Sequence, residues 1–500
     1  MSGFSYRGAT LSGAGTSGPL TSFGEISVAE LTQVGYTHFV YGLNLQLVNT
    51  LACGGGSVAS SGGFGIASTG ASISGSGGIS IRRGLSYRPG IGSLGRFTAL
   101  YDNPVSGNMQ LAGLSNIESG YYFGYQNTSF GILHQQESQR EVRKLTVTTG
   151  SGTGIVTVTL DGVAVSVPIT GGSNVNRTSY SLSRFDYSNV GSGWITDCID
   201  GTVYFLSTRP EPRTGSYSVS GNGIAGSFST HLSGNVGTST FISQSSFNID
   251  KINGTGPSRF NIQPQSGNVF QIGFQYLGFG NAFFGVEDSE TGRITPVHMI
   301  KNANIRNTPV LKNPQMSIRI LTYNTTNSSS VSIKSLSMAE FIEGKVVKLD
   351  PKLFASFPFS SVDSATYVPI GAIKVNRIFN SGSCFGEISL TKLAVSNQST
   401  AKTATIALFR NIPIVGVPNF QYLDADVSMV STASLNPASD TITQSGFVPL
   451  VALSVGAQGA NIIEMATEDL SLSAGEILIL AIKTSGPVTG EVGISWHEQQ

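Results

Sequence analysis

The residues Val269-Phe270-Gln271-Ile272-Gly273-Phe274-Gln275-Tyr276 leave a folding chain little choice. In an extended strand successive side chains point to opposite faces, so Phe270, Ile272, Phe274 and Tyr276 share one face and the two glutamines lie on the other. Ala282, Phe284 and Val286 repeat the pattern after the turn Gly278-Phe279-Gly280-Asn281, which predicts an antiparallel hairpin. Further strands read at 95–101, 121–125, 130–133, 387–395, 405–409, 447–455 and 477–482, and 492–496 alternates cleanly again. Helix is scarce: the short stretches 28–34 and 338–342 are candidates, with a third around 180–187. An all-β chain of antiparallel sandwiches, jelly-roll or lectin-like, is the fold this pattern predicts.

Such a surface is normally covered with charge, and here charge is missing. Asp, Glu, Lys and Arg make up 12% of the 500 residues, against about 25% in ordinary globular chains. The 29 basic and 29 acidic residues cancel, which leaves no net field for nucleic acid or an anionic membrane surface. The 62 glycines and many serines would suggest disorder, but 39% of residues are hydrophobic and 27 are Phe, enough for a core in each domain. The longest apolar run, 477–482, is far short of the about 20 residues that cross a bilayer. Residues 1–20 lack the basic start and apolar stretch of a signal peptide.

Organisation along the chain follows texture. Before Arg82 the only charged residues are Arg7, Glu25 and Glu30, so 1–80 reads as a Gly/Ser-rich N-terminal assembly region, ordered by packing against a neighbouring chain. Residues 81–136 and 241–344 read as one discontinuous central sandwich. Between them 137–240 has its own strands at 145–149, 156–160, 164–169 and 202–206, with a hairpin turn at Asp161-Gly162, and reads as a small inserted domain. Residues 345–500 read as a C-terminal sandwich.

Little in the chain suggests chemistry. Cys53, Cys198 and Cys384 are odd in number and far apart, without C-x-x-C spacing, and His38, His134, His231, His298 and His497 are equally dispersed, so no metal or cofactor site is expected. Glu287-Asp288-Ser289-Glu290 is the most enzyme-like cluster. Glycoside hydrolysis needs two carboxyls facing one groove at about 5–10 Å, whereas adjacent strand residues point apart, so a solvated turn is expected. No calcium loop, nucleophile elbow or phosphate loop is present. The aromatics Tyr121, Tyr122, Tyr125 and Phe279 could stack sugar rings, against the plainer reading of core or subunit interface. The Asn-x-Ser/Thr triplets are those chance supplies in so Asn-, Ser- and Thr-rich a chain.

The run Y-R-P-G-I-G-S-L-G-R-F-T-A-L-Y at 87–101 and G-Y-Y-F-G-Y-Q-N-T-S-F-G-I-L-H at 120–134 resemble a block in virion structural proteins of tailed phages and large DNA viruses of algae. So do the segments 254–280, 286–298, 472–483 and 494–498, while V-T-V-T-L-D-G-V-A-V-S-V at 156–167 resembles a small domain recurrent in phage tail proteins. The resemblance implies a non-enzymatic capsid, spike or tail component located in the virion. Its partners would be other copies of itself, a trimer being the closed form expected of a fibre-like β subunit, and other virion proteins. A carbohydrate-binding adhesin or receptor-binding fibre recognising host-surface glycans is the alternative, and a glycoside hydrolase a distant third.

Overall fold

The predicted hairpin forms as two strands, Asn268–Phe274 and Ala282–Glu287, with Phe274 opposite Ala282 and Phe270 opposite Val286. In the computed structural model, which describes residues 30–85, 87–170, 174–344, 352–416, 418–465 and 470–499, this hairpin belongs to a nine-stranded antiparallel sheet. Its order runs Ile294–Ile300, Ala282–Glu287, Asn268–Phe274, Ser93–Tyr101 and then two consecutive segments that both pair with Ser93–Tyr101, Ser332–Ser335 and Ser337–Glu343. The first of these continues through Phe64–Ser68 to the edge strand Ser57–Ser61, and the second carries the edge strand Leu31–His38. A seven-stranded sheet packs against it in the order Thr238–Ser243, Ser129–Gln136, Gly120–Gln126, Asn108–Ser115, Ser317–Asn324, Ser76–Ile81, Val48–Cys53. Phe97, Phe123, Phe270, Phe284, Ile318 and Ile320 are buried between the two, and their removal from water holds the sandwich together.

Two expectations are corrected here. Stretches 28–34 and 338–342 do not form helices in the described residues: Leu31–His38 and Ser337–Glu343 are strands that pair with each other, Leu31 opposite Glu343. Both stretches are short and neither has a clean period, so pairing with each other, and of Ser337–Glu343 with Ser93–Tyr101, decides what they become. The boundary near residue 80 also fails. Residues 1–29 lie outside the described residues, but from Leu31 to Ile81 the chain supplies five strands of the central sandwich, Ser76–Ile81 lying between Val48–Cys53 and Ser317–Asn324. The glycines there serve close backbone approach within one chain. A Cβ on Gly56 would lie 2.0 Å from the Ser76 carbonyl oxygen, and one on Gly75 equally near that of Thr69. The order expected from a neighbouring chain is supplied from within.

Between Ser129–Gln136 and Thr238–Ser243, which pair with Gln136 opposite Thr238, the chain makes a separate small core. A four-stranded sheet (Trp194–Ile199, Thr202–Ser207, Val142–Thr149, Ala225–Leu232) faces a three-stranded one (Val163–Ile169, Gly154–Leu160, Ser218–Ser220). One α-helix, Val175–Arg184, is capped by the Asn174 side chain, which accepts from the Arg177 N–H at 3.1 Å. Asp161, at the tip of the Asp161-Gly162 turn, receives the Trp194 indole N–H at 3.0 Å and the Tyr217 hydroxyl at 2.7 Å and pairs with Arg213 at 3.3 Å. After the central sandwich, a five-stranded and a six-stranded antiparallel sheet enclose a second large core around Phe357, Ile388, Leu390, Leu480, Ile494 and Trp496. The protein is an all-β antiparallel sandwich fold.

Candidate functional site

The four candidate aromatics separate three to one. Tyr121 and Tyr122 are neighbours on Gly120–Gln126 and point to opposite faces. Tyr121 is buried between the sheets, stacked on His134 at 4.7 Å and within 6.0 Å of the Phe274 and Phe284 rings. Tyr125 packs edge-on against Tyr101 and Phe130, and its hydroxyl accepts from Gln265 at 2.7 Å. Tyr122 faces away from the core, yet is covered by Met109, Leu111, Leu133 and Tyr323 and lines a cavity of about 330 Å³ bounded by residues 208–211. None of the three presents a ring face to solvent, so they follow the plainer reading of core packing and supply no sugar platform. Phe279, 42% exposed at the hairpin tip, is the one that remains. The signal was legible: Tyr121-Tyr122-Phe123 has no alternation, as befits a strand buried on both faces.

Residues 208–211 are held down by Arg209. Its guanidinium donates to the carbonyls of Ser74 at 2.8 Å, Gly75 at 3.1 Å and Asn324 at 3.1 Å and lies 5.0 Å over the Tyr323 ring. This part of the outer face of the seven-stranded sheet is therefore roofed.

The acidic cluster is a turn. Asp288 accepts from the Glu290 N–H at 2.9 Å and the Thr291 hydroxyl at 3.2 Å, and its own N–H bonds the Arg293 carbonyl at 2.9 Å. Its carboxylate is thus committed to closing the loop. Among the described residues no group of three His, Cys, Asp or Glu is placed to hold a metal ion. The three cysteines are buried and unpaired with one another, and burial pushes the Cys198 thiol up to about 12, far from the thiolate a nucleophile needs. His134 is held down to about 4, by burial first and by the Arg306 charge second. Among the described residues no helix is long and apolar enough to cross a membrane.

What the surface does offer is unprotected sheet edge. Among the described residues Leu31–His38 and Ser57–Ser61 each pair on one side only, while the third edge strand, Val48–Cys53, faces the inserted domain, the Gly54 N–H donating to the Ser188 carbonyl; from Leu31 to Ile81 the sequence has no Asp, Glu, Lys or Arg. Monomeric proteins blunt such edges with charge, proline or a covering element because free N–H and C=O groups recruit another strand. On Ser57–Ser61 four of five residues are exposed. Beside these edges Tyr36 (54%), Val40 (66%), Tyr41 (93%) and Leu45 (58%) are exposed.

No protein-family model matches the chain and no curated protein does. Among solved structures it is similar, weakly, to a GH43 glycoside hydrolase engineered for both endo-xylanase and exo-arabinofuranosidase activity, at TM-score 0.25 and 9% identity over 63% of this chain and 41% of that one. It therefore spans well under half of that hydrolase. The exoplasmic/lumenal domain of VIP36, in a Ca2+/Man3GlcNAc-bound form, gives TM-score 0.24 and 10% identity over 64% of this chain and 93% of that one. A triple jelly-roll protein of an archaeal virus turret gives 0.16 and 8% over 97% of both. Likenesses this low assign no function.

Proposed function

We propose that the protein is a non-enzymatic structural subunit of a virus particle, working as a homo-oligomer, a trimer, among other virion proteins. The observation that carries this reading is the pair of charge-free edge strands Leu31–His38 and Ser57–Ser61, each paired on one side among the described residues, with exposed Tyr36, Val40 and Tyr41 nearby. A second copy of the chain satisfies both the open backbone groups and the apolar side chains, and no charge on the edge opposes it. Particle membership rests on the resemblance of 87–101 and 120–134 to virion proteins. Glycan recognition has lost three of the aromatics that suggested it.

The test is to tag the chain, purify native particles and image them. The tag should appear at repeated, symmetry-related positions; particles that never contain the tagged chain would overturn the proposal.

A further inference from the structure

A cavity of about 590 Å³ lies where the seven-stranded sheet, the inserted domain and the C-terminal sandwich meet. Arg82, Arg140, Arg319 and Arg377 line it, with Glu387 and Glu476. Both carboxylates are already engaged. Glu476 forms an ion pair with Arg82 and accepts from the Ser473 N–H at 2.9 Å, and Glu387 lies 3.8 Å from Arg83. Arg140 is also engaged, 3.8 Å from Glu118, donating to the Ser383 hydroxyl at 3.0 Å and lying over the Phe385 ring.

Arg319 and Arg377 differ. Among the described residues neither has an ion-pair partner, and the Arg319 Nε is buried with no acceptor. Asp197, whose charge reaches Arg377, is held by Lys374. Burial lowers both guanidinium pKa values, and the Arg140 value falls to about 10, by burial first and with Arg377 and Arg319 both adding to the drop. Three cations thus converge on one half-open cavity from three parts of the fold. Burying an arginine fork without an acceptor is costly, and the planar guanidinium is the side chain best matched to paired oxygens. The exposed Arg184 among the lining residues marks a way in. The volume exceeds what one inorganic oxyanion needs and falls in the range of about 300–1,000 Å³ typical of small-molecule sites.

We propose that this cavity binds a small molecule carrying two oxyanion groups, phosphate, sulfate or carboxylate, one gripped by Arg319 and the other by Arg377.

Calorimetric titration of the full chain tests it with inorganic phosphate, inorganic sulfate, a bisphosphorylated sugar, a disulfated disaccharide, a diuronate and a neutral disaccharide. At least one doubly anionic sugar should bind tenfold or more tighter than the inorganic ions, and which one does so identifies the oxyanion. The neutral disaccharide should not bind. Loss of a hydrogen-bonded charge predicts about a 10–100-fold weakening for Arg319→Gln and for Arg377→Gln. Should either fail to fold, Arg377→Lys keeps the charge without the fork and should still weaken binding. Absence of binding at millimolar concentration, no gain from the second oxyanion, or affinity unchanged in every variant would each overturn the proposal.

Discussion

Removing Asp197 should undo the joint between the inserted domain and the C-terminal sandwich. Its carboxylate lies 2.5 Å from the Lys374 ammonium, with the two side chains 2% and 4% exposed, and it also accepts from the backbone N–H groups of Arg377 at 2.7 Å and Cys198 at 2.8 Å. In Asp197→Ala the ammonium keeps only the Cys198 carbonyl and the Phe420 ring face, 4.9 Å away. Breaking one half of a buried pair costs about 3–5 kcal/mol, a large share of the roughly 5–15 kcal/mol that holds a domain folded. The two tryptophans make the assay direct, since Trp194 lies in the inserted domain and Trp496 in the C-terminal core. Urea unfolding followed in Trp194→Phe and Trp496→Phe backgrounds should show both transitions at lower urea in Asp197→Ala. The double variant Asp197→Asn/Lys374→Met, which keeps an acceptor for one of the two N–H groups and removes the charge, should recover part of the loss. If it is as unstable as Asp197→Ala, or if Asp197→Ala costs under about 1 kcal/mol, the lysine is hydrated and the reasoning fails.

Other perturbations follow from the same packing. Tyr121→Ala should cost about 3–5 kcal/mol by opening a cavity between the sheets, while Tyr121→Phe stays near wild type, both read by thermal melting; neither should alter retention on a glycan array. Burial holds the Glu340 carboxyl well above its ordinary 4.5, so the native state binds more protons than the unfolded one, and stability is lost as pH rises from about 4.5 through the native value. Glu340→Gln keeps an acceptor for the Ile318 N–H and should raise the melting temperature at pH 8 and flatten that slope. His134 acts in the opposite sense: its native value is lowered from 6.5 to about 4, so stability falls as pH drops through that window, and His134→Gln should remove this part of the acid limb in denaturant titrations. Replacing residues 137–237 by Asn-Gly should leave the Gln136–Thr238 pairing intact but strand Lys374, so the deletion should give a cooperative melt with Lys374→Met and a weaker one without it.

Alternation made the half-buried strands legible: Asn268–Phe274, Ala282–Glu287 and Val488–Gln499 all show it in sequence. Strands covered on both faces gave no such period. Asn108–Ser115 and Ser76–Ile81 are buried at every position, so polar and glycine residues mix with apolar ones and the pattern vanishes. At Tyr121-Tyr122-Phe123 the lack of alternation was itself the sign of burial, but the partners that bury Tyr121 and Tyr122, such as Phe274 and Tyr323, lie more than a hundred residues away. The arginine-lined cavity was equally hidden, because Arg140, Arg319 and Arg377 belong to three different parts of the chain. The absence of charge from Leu31 to Ile81 was plain in the sequence, but only the sheet order turns it into two open edges among the described residues.

Light scattering on the purified chain tests the assembly reading most directly. At micromolar concentration the wild type should scatter as three times the 52.3 kDa chain mass, with little dependence on salt, since no charges are paired across the edge. Ala59→Lys with Ser61→Lys places two ammonium groups on the open Ser57–Ser61 strand and should shift the population toward monomer while the melting curve stays unchanged. A wild type that remains monomeric at every concentration and salt, or an oligomer indifferent to charge on that edge, would contradict the account.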